Sequence, residues 1–459
     1  MNKYDITNSQ LKLSKQLFTL SLPAMVSLAV QALYNIVDRL FIGNIPELAI
    51  GGLAALTAIN PILNIIIAIG TMFGVGGAVF YSLSLGKGDY ETSKKILGNT
   101  CLLLAVSNIA FVALIMIFFD TIVSAIGIEK EIIKLAKTYF FAIAPFSIFW
   151  AVGLGMNNFI RADGKAKFAM ITILSGAITN ILLDALFILV FKMGILGAGL
   201  ATGLAQLISF VFVMYFFRSK HCRFRLNLKD IRFNFARTKR ISYYGIPSLI
   251  TVICNSILNL FIIWHLTNPK ILKGYDMDAA LAVQGIIFSL LSLLHIPIHA
   301  FSQGMQPLVG YNYGKQQYDN VFKVYKIALK YTMIISTAVS VLVLVFSEYI
   351  VMAFDGSREL GAFGPNAVRL WNFLLPLVAF EMISIALFQA MGRGKICMLL
   401  VVFRQLLVLL ALIALLTVRF GIWGIYISMP IADVLTSILI VIILYVMTKK
   451  IKVKVQNEK

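Results

Sequence analysis

Charge is what this 459-residue chain has least of: Asp, Glu, Lys and Arg together make up 13% of it, about half the share of an ordinary soluble domain. That scarcity excludes a water-solvated surface over most of the chain. Cysteine is as sparse. Cys101, Cys222, Cys254 and Cys397 are scattered in or near apolar runs and basic connections, which gives neither a disulfide framework nor a metal-ligand spacing, so they read as packing residues. There is no HExxH and no GxSxG. An intramembrane enzyme would lack its metal or nucleophile cluster, and the chain is expected not to be an enzyme. The Gly-Lys pairs at 86, 164, 314 and 394 lack the earlier glycine of a phosphate-binding loop, and no cofactor is called for. Period-two alternation is absent, which argues against a transmembrane β-barrel. The first apolar run is too long for a signal-peptide core and lacks a small-residue cleavage site, so no cleavable signal peptide is expected.

What is abundant is apolar length. Hydrophobic residues make up 60% of the chain, and the mean hydropathy is +0.89. Runs near 17–43, 52–84, 97–119, 132–158, 168–190, 195–217, 241–266, 279–312, 324–347, 366–391, 397–418 and 422–447 are each long enough to cross roughly 30 Å of hydrocarbon as a helix. The expected fold is an all-α polytopic membrane protein with twelve transmembrane helices. The formal charge of +20 invites a nucleic-acid reading. Most of the lysines and arginines, however, fall in alternate connections once the N-terminus is taken as inside. That pattern places both termini in the cytoplasm, and it assigns the basic excess to topology and membrane lipid rather than nucleic acid.

The chain is written twice. LPAMVSLAVQALYN from Leu22 matches IPSLITVICNSILN from Ile246, LGKGDY at 85–90 matches YGKQQY at 313–318, ADGKAK at 162–167 matches GRGKIC at 392–397, and KMGILGAGLATGLAQ at 192–206 matches RFGIWGIYISMPIAD at 419–433. The offsets are 224, 228, 230 and 227. The expected organisation is an N-terminal six-helix lobe (1–217), a basic cytoplasmic linker (218–240) and a C-terminal six-helix lobe (241–459). Six is even, so both halves enter the membrane with the same orientation. Two pseudo-symmetric bundles then surround a central cavity, with their axis along the membrane normal, as in transporters built from parallel repeats. Pro23 and Pro247, inside the first helix of each half, read equally as hinges or as static kinks. The glycine-rich stretch 70–80 reads as a close-packing surface.

Symmetry breaks at two acids. Asp38 aligns with Ile262, and Asp184 with about Ala411, so the duplicated scaffold folds without either. Counted at 1.5 Å per residue, Asp38, Asp184 and Thr202 lie roughly 8 to 10 Å below the outer end of the apolar zone. Asn180 is one turn below Asp184 on the same helix face. An intramembrane acid faces the protein interior and marks an ion or proton path, although a polar network that merely ties helices together would use the same residues. Their oxygens suit H⁺ or Na⁺ as the coupling ion.

VDRLFIG at 37–43, NILLDALFI at 180–188 and GAGLATGLAQ at 197–206, in order on a twelve-span duplicated chain, resemble the MATE (multidrug and toxic compound extrusion) family, in its prokaryotic, MepA/DinF-like branch. The resemblance covers nearly the whole chain. It implies a cation or proton site in the first lobe at Asp38, Asp184, Asn180 and Thr202, coupled to bending of the first helix at Pro23. It also implies a monomeric transporter in the cytoplasmic membrane of a prokaryote. One departure stands out. The glutamate that the NorM-like branch carries eight residues after the seventh-helix proline is Asn255 here, while the tenth-helix acid has a counterpart in Glu381. A sodium site in the second lobe is thereby put in doubt.

Within the second half, Arg404 is in reach of Glu381 as an ion pair or a functional group, and Asp433 sits mid-span opposite Gln206 of the first half. His295 and His299 share a face around Pro297 and are either titrating groups or stabilisers of a kink. Gln31, Tyr34, Asn35, Asn157, Asn255 and Gln303 are further candidates for lining the cargo cavity. Four acids within spans, against Arg404 and the end-placed Arg39 and Lys330, suit lipophilic cations as cargo. The expected activity is export of cationic amphiphiles in exchange for H⁺ or Na⁺. The alternative is a flippase for lipid or lipid-linked precursors, whose anionic cargo calls for a basic cavity.

Overall fold

The structure, a computed structural model, describes residues 12–43, 49–124, 130–272, 274–354, 361 and 363–457. Each of the twelve apolar runs forms a membrane-length helix: α1 (Leu13–Gly43), α2 (Gly51–Gly86), α3 (Tyr90–Val123), α4 (Lys130–Ala162), α5 (Ala166–Val190), α6 (Gly194–Arg218), α7 (Phe235–Leu266), α8 (Met277–Gly314), α9 (Tyr318–Phe354), α10 (Phe363–Ala390), α11 (Gly394–Phe420) and α12 (Trp423–Ile451). No strand occurs among the described residues. In hydrocarbon every backbone polar group must find its partner within the segment, and a helix does so. All four cysteines are free.

Several helices depart from regular geometry where the sequence compels it. The helix α8 breaks at His295, just before Pro297, and α10 breaks at Phe373 and Leu374, before Pro376, because proline supplies no amide hydrogen. The helix α5 widens into a π turn over Ala185–Val190, directly after Asp184. A second π turn, Phe403–Leu409, carries Arg404 on α11. Wide turns of this kind recur at functional sites. Pro23 and Pro247, by contrast, lie inside unbroken helices. Four residues beyond each, a hydroxyl donates back to the proline carbonyl: Ser27 to Pro23 and Thr251 to Pro247, both at 2.8 Å.

The halves meet by exchanging equivalent contacts. A Cβ built on Gly86 of α2 would lie 2.1 Å from the Tyr311 carbonyl on α8, and one on Gly314 would lie 2.3 Å from the Leu83 carbonyl. Gly76 and Gly245 oppose each other in the same way, with a Gly245 Cβ falling 1.9 Å from the Met72 carbonyl, and Gly304 opposes Ser21. Each contact maps onto its partner under the repeat, as a two-fold axis requires. The glycines of 70–80 therefore serve close helix packing, and they close a seam at the end of the bundle that bears the chain termini.

One register is corrected. The turns after α4 and α10 correspond at an offset of 228, two less than the ADGKAK–GRGKIC match implies. Gly164 (φ 78°) and Gly392 (φ 72°) occupy the same left-handed position. Lys165 N–H donates to the Ile160 carbonyl at 3.0 Å, just as Arg393 N–H donates to that of Phe388 at 2.8 Å. The left-handed glycine sets the register, and the Gly-Lys pair does not. Lys165 thus corresponds to Arg393, and Asp163 to Met391.

The basic connection between halves is packed down. It folds back after Arg218, and Asp163 accepts hydrogen bonds from the Tyr81 hydroxyl (2.5 Å) and the Arg223 amide (3.1 Å). Phe224 packs its ring against Tyr81 and Tyr90, with centroids 6.2 and 6.4 Å away. Lys94 pairs with Asp230 at 3.1 Å, and Asn234 caps α7 by accepting the Arg237 N–H at 3.0 Å. Burial pushes the Asp163 carboxyl above its ordinary range, against the opposing pull of Arg223 and the Tyr81 hydroxyl.

Candidate functional site

In the first half α1 packs against α5, and α5 against α6. That packing brings Asp38, Asp184, Asn180 and Thr202 together. Asp184 is fully buried and Asn180 nearly so, and the Asp38 and Asp184 carboxyls are neighbours across the α1–α5 contact. The Asn180 amide donates to the Thr202 hydroxyl at 3.5 Å. Tyr139 of α4 joins from the side, its hydroxyl 3.4 Å from that of Thr202. Sequence reasoning missed Tyr139. The depth count would have found it, since it lies nine residues inside α4 from the same membrane face.

The chemistry of this layer is one-sided. Among the described residues, no donor reaches Asp38 Oδ1, either oxygen of Asp184, or Asn180 Oδ1. A buried acceptor left without a partner costs roughly 1–3 kcal/mol, and carboxylates cost more. Four acceptor oxygens in that condition, within about one helical turn of each other, leave room in the layer for a proton or a hard cation to satisfy them. A network that only tied helices together would spend its acceptors on its own donors.

Below the aspartates lies a cavity of about 50 Å³ lined by Gln31, Tyr34, Asn157, Asn180, Thr202 and Gln206, among others. It has room for a few waters and not for a drug-sized ligand, which needs roughly 300 Å³ or more. Gln31, Tyr34 and Asn157, expected in the cargo cavity, thus line a small chamber inside the first half. Asn157 is further committed, donating to the Ala169 carbonyl (3.0 Å) and the Thr172 hydroxyl (2.7 Å).

The second half is arranged oppositely. Arg404 Nε lies 2.8 Å from Glu381, and its Nη2 lies 2.7 Å from Asp433, so one guanidinium joins both acids. Glu381 and Asp433 are 2% and 3% exposed, and Ser437 approaches Glu381 at 3.5 Å. The sequence indicated the Glu381 contact and offered Asp433 only as a candidate for lining the cargo cavity. Two acids sharing one base keep a formal charge of −1 when all are ionised. Asn255, exposed on α7, accepts from Gln405 at 2.8 Å. His295 marks the α8 break, and its ring lies 6.2 Å from that of His299. Gln303 sits away from both acid clusters, accepting a hydrogen bond from Arg161 across the seam. Asn35 and His299 are exposed. Among the described residues, no group of three or more His, Cys, Asp or Glu could hold a metal ion.

Removing the shared base tests the second cluster. Arg404→Leu strands two buried acids and is expected to lower stability by about 3–5 kcal/mol. Glu381→Gln in that background should restore part of the loss, as read by thermal unfolding in detergent.

A family model described as MatE matches residues 23–186 and 247–415. Curated proteins named multidrug export protein MepA are similar over almost the whole chain. That of Staphylococcus haemolyticus (strain JCSC1435) is 26% identical over 444 residues, and that of Staphylococcus aureus (strain MRSA252) is 25% identical over 451. Both alignments cover 96% of this chain and 95% of the relative. Among solved structures, one described as the outward-facing conformation of a multidrug resistance MATE family transporter of the MOP superfamily aligns with a TM-score of 0.88 at 23% identity, over 96% of this chain and 97% of that one. A MATE crystal structure in a bent conformation aligns with a TM-score of 0.88 at 22% identity, over 99% of each chain.

Proposed function

The chain belongs to the MatE family of transporters, and from that membership we propose that it exports lipophilic cations in exchange for H⁺, with Na⁺ as the alternative coupling ion. The observation that carries the proposal is the layer of donor-less oxygens on Asp38, Asp184 and Asn180. The similarity to proteins named for multidrug export supports the cargo class. So does the charge balance of the second cluster, in which two buried acids share one base.

The positive-inside pattern puts the termini, and therefore the closed glycine seam, on the cytoplasmic side. The described state is then closed toward the cytoplasm. Protonation of the acidic layer from outside satisfies its orphan oxygens and removes the repulsion between the two carboxylates. The balance of contacts along α1 shifts, and Pro23, which lacks one backbone hydrogen bond, is where the helix yields most easily. Cargo leaves outward, the seam opens, and the proton is released inside as the next cation enters. A flippase reading is disfavoured because the base that anionic cargo would need, Arg404, is already shared by two acids.

The experiment is dye efflux from proteoliposomes in which proton and sodium gradients are imposed separately. Proton coupling is expected: an outside-acid pH gradient drives export and a sodium gradient alone does not. Export driven by sodium alone assigns the layer to Na⁺, and export driven by neither gradient overturns the antiport proposal.

A further inference from the structure

At the end of the bundle that bears the termini, the second half has a groove of about 370 Å³ whose lining includes Tyr313, Tyr318, Arg393, Ile396, Met447 and Lys450. Arg393 donates to the Tyr313 hydroxyl at 3.3 Å. Among the described residues, neither Arg393 nor Lys450 has an acid within ion-pair distance. The groove wall runs on into Ile442 and Val446 of α12, which are 54% and 45% exposed and face the surroundings of the bundle.

The first half shows what fills the equivalent place. There Phe168, the counterpart of Ile396, packs against Tyr215 and Phe216 with centroids 6.4 and 5.1 Å away. Phe224, in the register of Ile451, packs against Tyr90, the counterpart of Tyr318. Arg223, in the register of Lys450, is set against Asp163 at 3.7 Å. In the second half all three devices are missing. Smaller isoleucines replace the two phenylalanines, and Met391 stands in place of Asp163. The helix containing α12 runs straight through to Asn457 instead of folding back. Space, an apolar wall and two unneutralised cations coincide where the other half is plugged by its own chain.

We propose that this groove binds an anionic phospholipid, with the phosphate between Arg393 and Lys450 and an acyl chain along Ile442, Val446 and Met447. A water-soluble anion would use the two cations and leave the apolar wall bare. A neutral lipid would leave the cations unmatched. Each basic group near a membrane surface contributes to binding of anionic headgroups, and the apolar wall adds burial of the chain. The proposal does not depend on the coupling ion or on the cargo.

The test uses the full chain, purified in detergent and titrated with dioleoylphosphatidylglycerol or dioleoylphosphatidylcholine, with bound lipid counted by native mass spectrometry. One phosphatidylglycerol per chain is expected to be retained in preference to phosphatidylcholine. The double variant Arg393→Gln/Lys450→Gln should raise the half-saturating concentration roughly thirtyfold. Ile396→Trp, which fills the groove without changing its charge, should weaken retention as well. Lys449→Gln, a neighbouring exposed lysine that does not line the groove, should leave it unchanged. Equal retention of the two lipids, indifference to the double variant, or displacement of the lipid by millimolar inorganic phosphate would each overturn the proposal. Unfolding temperatures measured alongside separate loss of the site from loss of the fold.

Discussion

Asp38→Asn is expected to abolish uphill export while leaving the protein folded. One pH unit across the membrane carries 1.36 kcal/mol per proton, so a one-proton exchanger sustains a dye ratio of about tenfold with the membrane potential clamped. The amide keeps the size of the carboxyl and does not titrate. The ratio held by the variant should therefore fall to about one, and Asp184→Asn should behave alike because its carboxyl belongs to the same unsatisfied layer. Stability is the control that separates function from structure. Asp184 is buried with no donor to either oxygen, and half-buried Asp38 has none at Oδ1, so replacing either acid removes a desolvation burden and the variants should unfold at the wild-type temperature or above it. If the aspartates only tied α1 to α5, the amide would preserve the tie and the pumping with it. A variant that still held a tenfold ratio would end the coupling assignment.

How much of this was legible beforehand follows from what a sequence encodes directly. Helical rise converts residue number into depth, which is why counting sets Asp38, Asp184 and Thr202 at one level, with Asn180 a turn away on the face of Asp184. Helix azimuth is not encoded so simply. Asn35 stands near the depth of Tyr34 and is exposed, while Tyr34 reaches the inner chamber. Gln303, a candidate for the cargo cavity, is engaged by Arg161 in a pocket between the halves, a pairing that residue counting does not announce. The junction of Arg404 with both Glu381 and Asp433 depends on the π turn of α11, a local widening that apolar periodicity does not announce. The misregister of two at ADGKAK had a similar source, since the repeated feature there is a backbone angle at Gly164 and Gly392 and the letters beside it are coincidental. The charge of the linker marks it as a basic connection and does not announce its packing, yet one buried acid, Asp163, and one ring, Phe224, hold it against the first half.

The seam yields the other large effect, because alternating access needs a closed inner gate as much as a titrating layer. At Gly86 the facing atom is a backbone carbonyl, that of Tyr311, and an added Cβ would fall 2.1 Å from it. Neither backbone can rotate away as a side-chain tip would, so α2 and α8 must separate. Overpacking of this kind typically costs 1–3 kcal/mol, and occasionally more. At about 3 kcal/mol the closed seam loses more than a hundredfold in population relative to the open one. Gly86→Leu is therefore expected to hold the transporter open at the end that bears the termini. Uphill export should fall to background while each half keeps its fold and its acidic layer. Gly314→Leu, its repeat counterpart, should do the same through the Leu83 carbonyl. Gly88→Ala is the control, since nothing lies within 4 Å of a Cβ there, and its effect should be confined to the strain of its left-handed turn. The readout is labelling of a cysteine placed at Gln306, in the seam pocket, on a background lacking the four native thiols. Labelling should be slow in that otherwise wild-type background and fast in Gly86→Leu. Slow labelling in a folded Gly86→Leu protein that still exports dye would show that the tight crossing at this seam is not the gate.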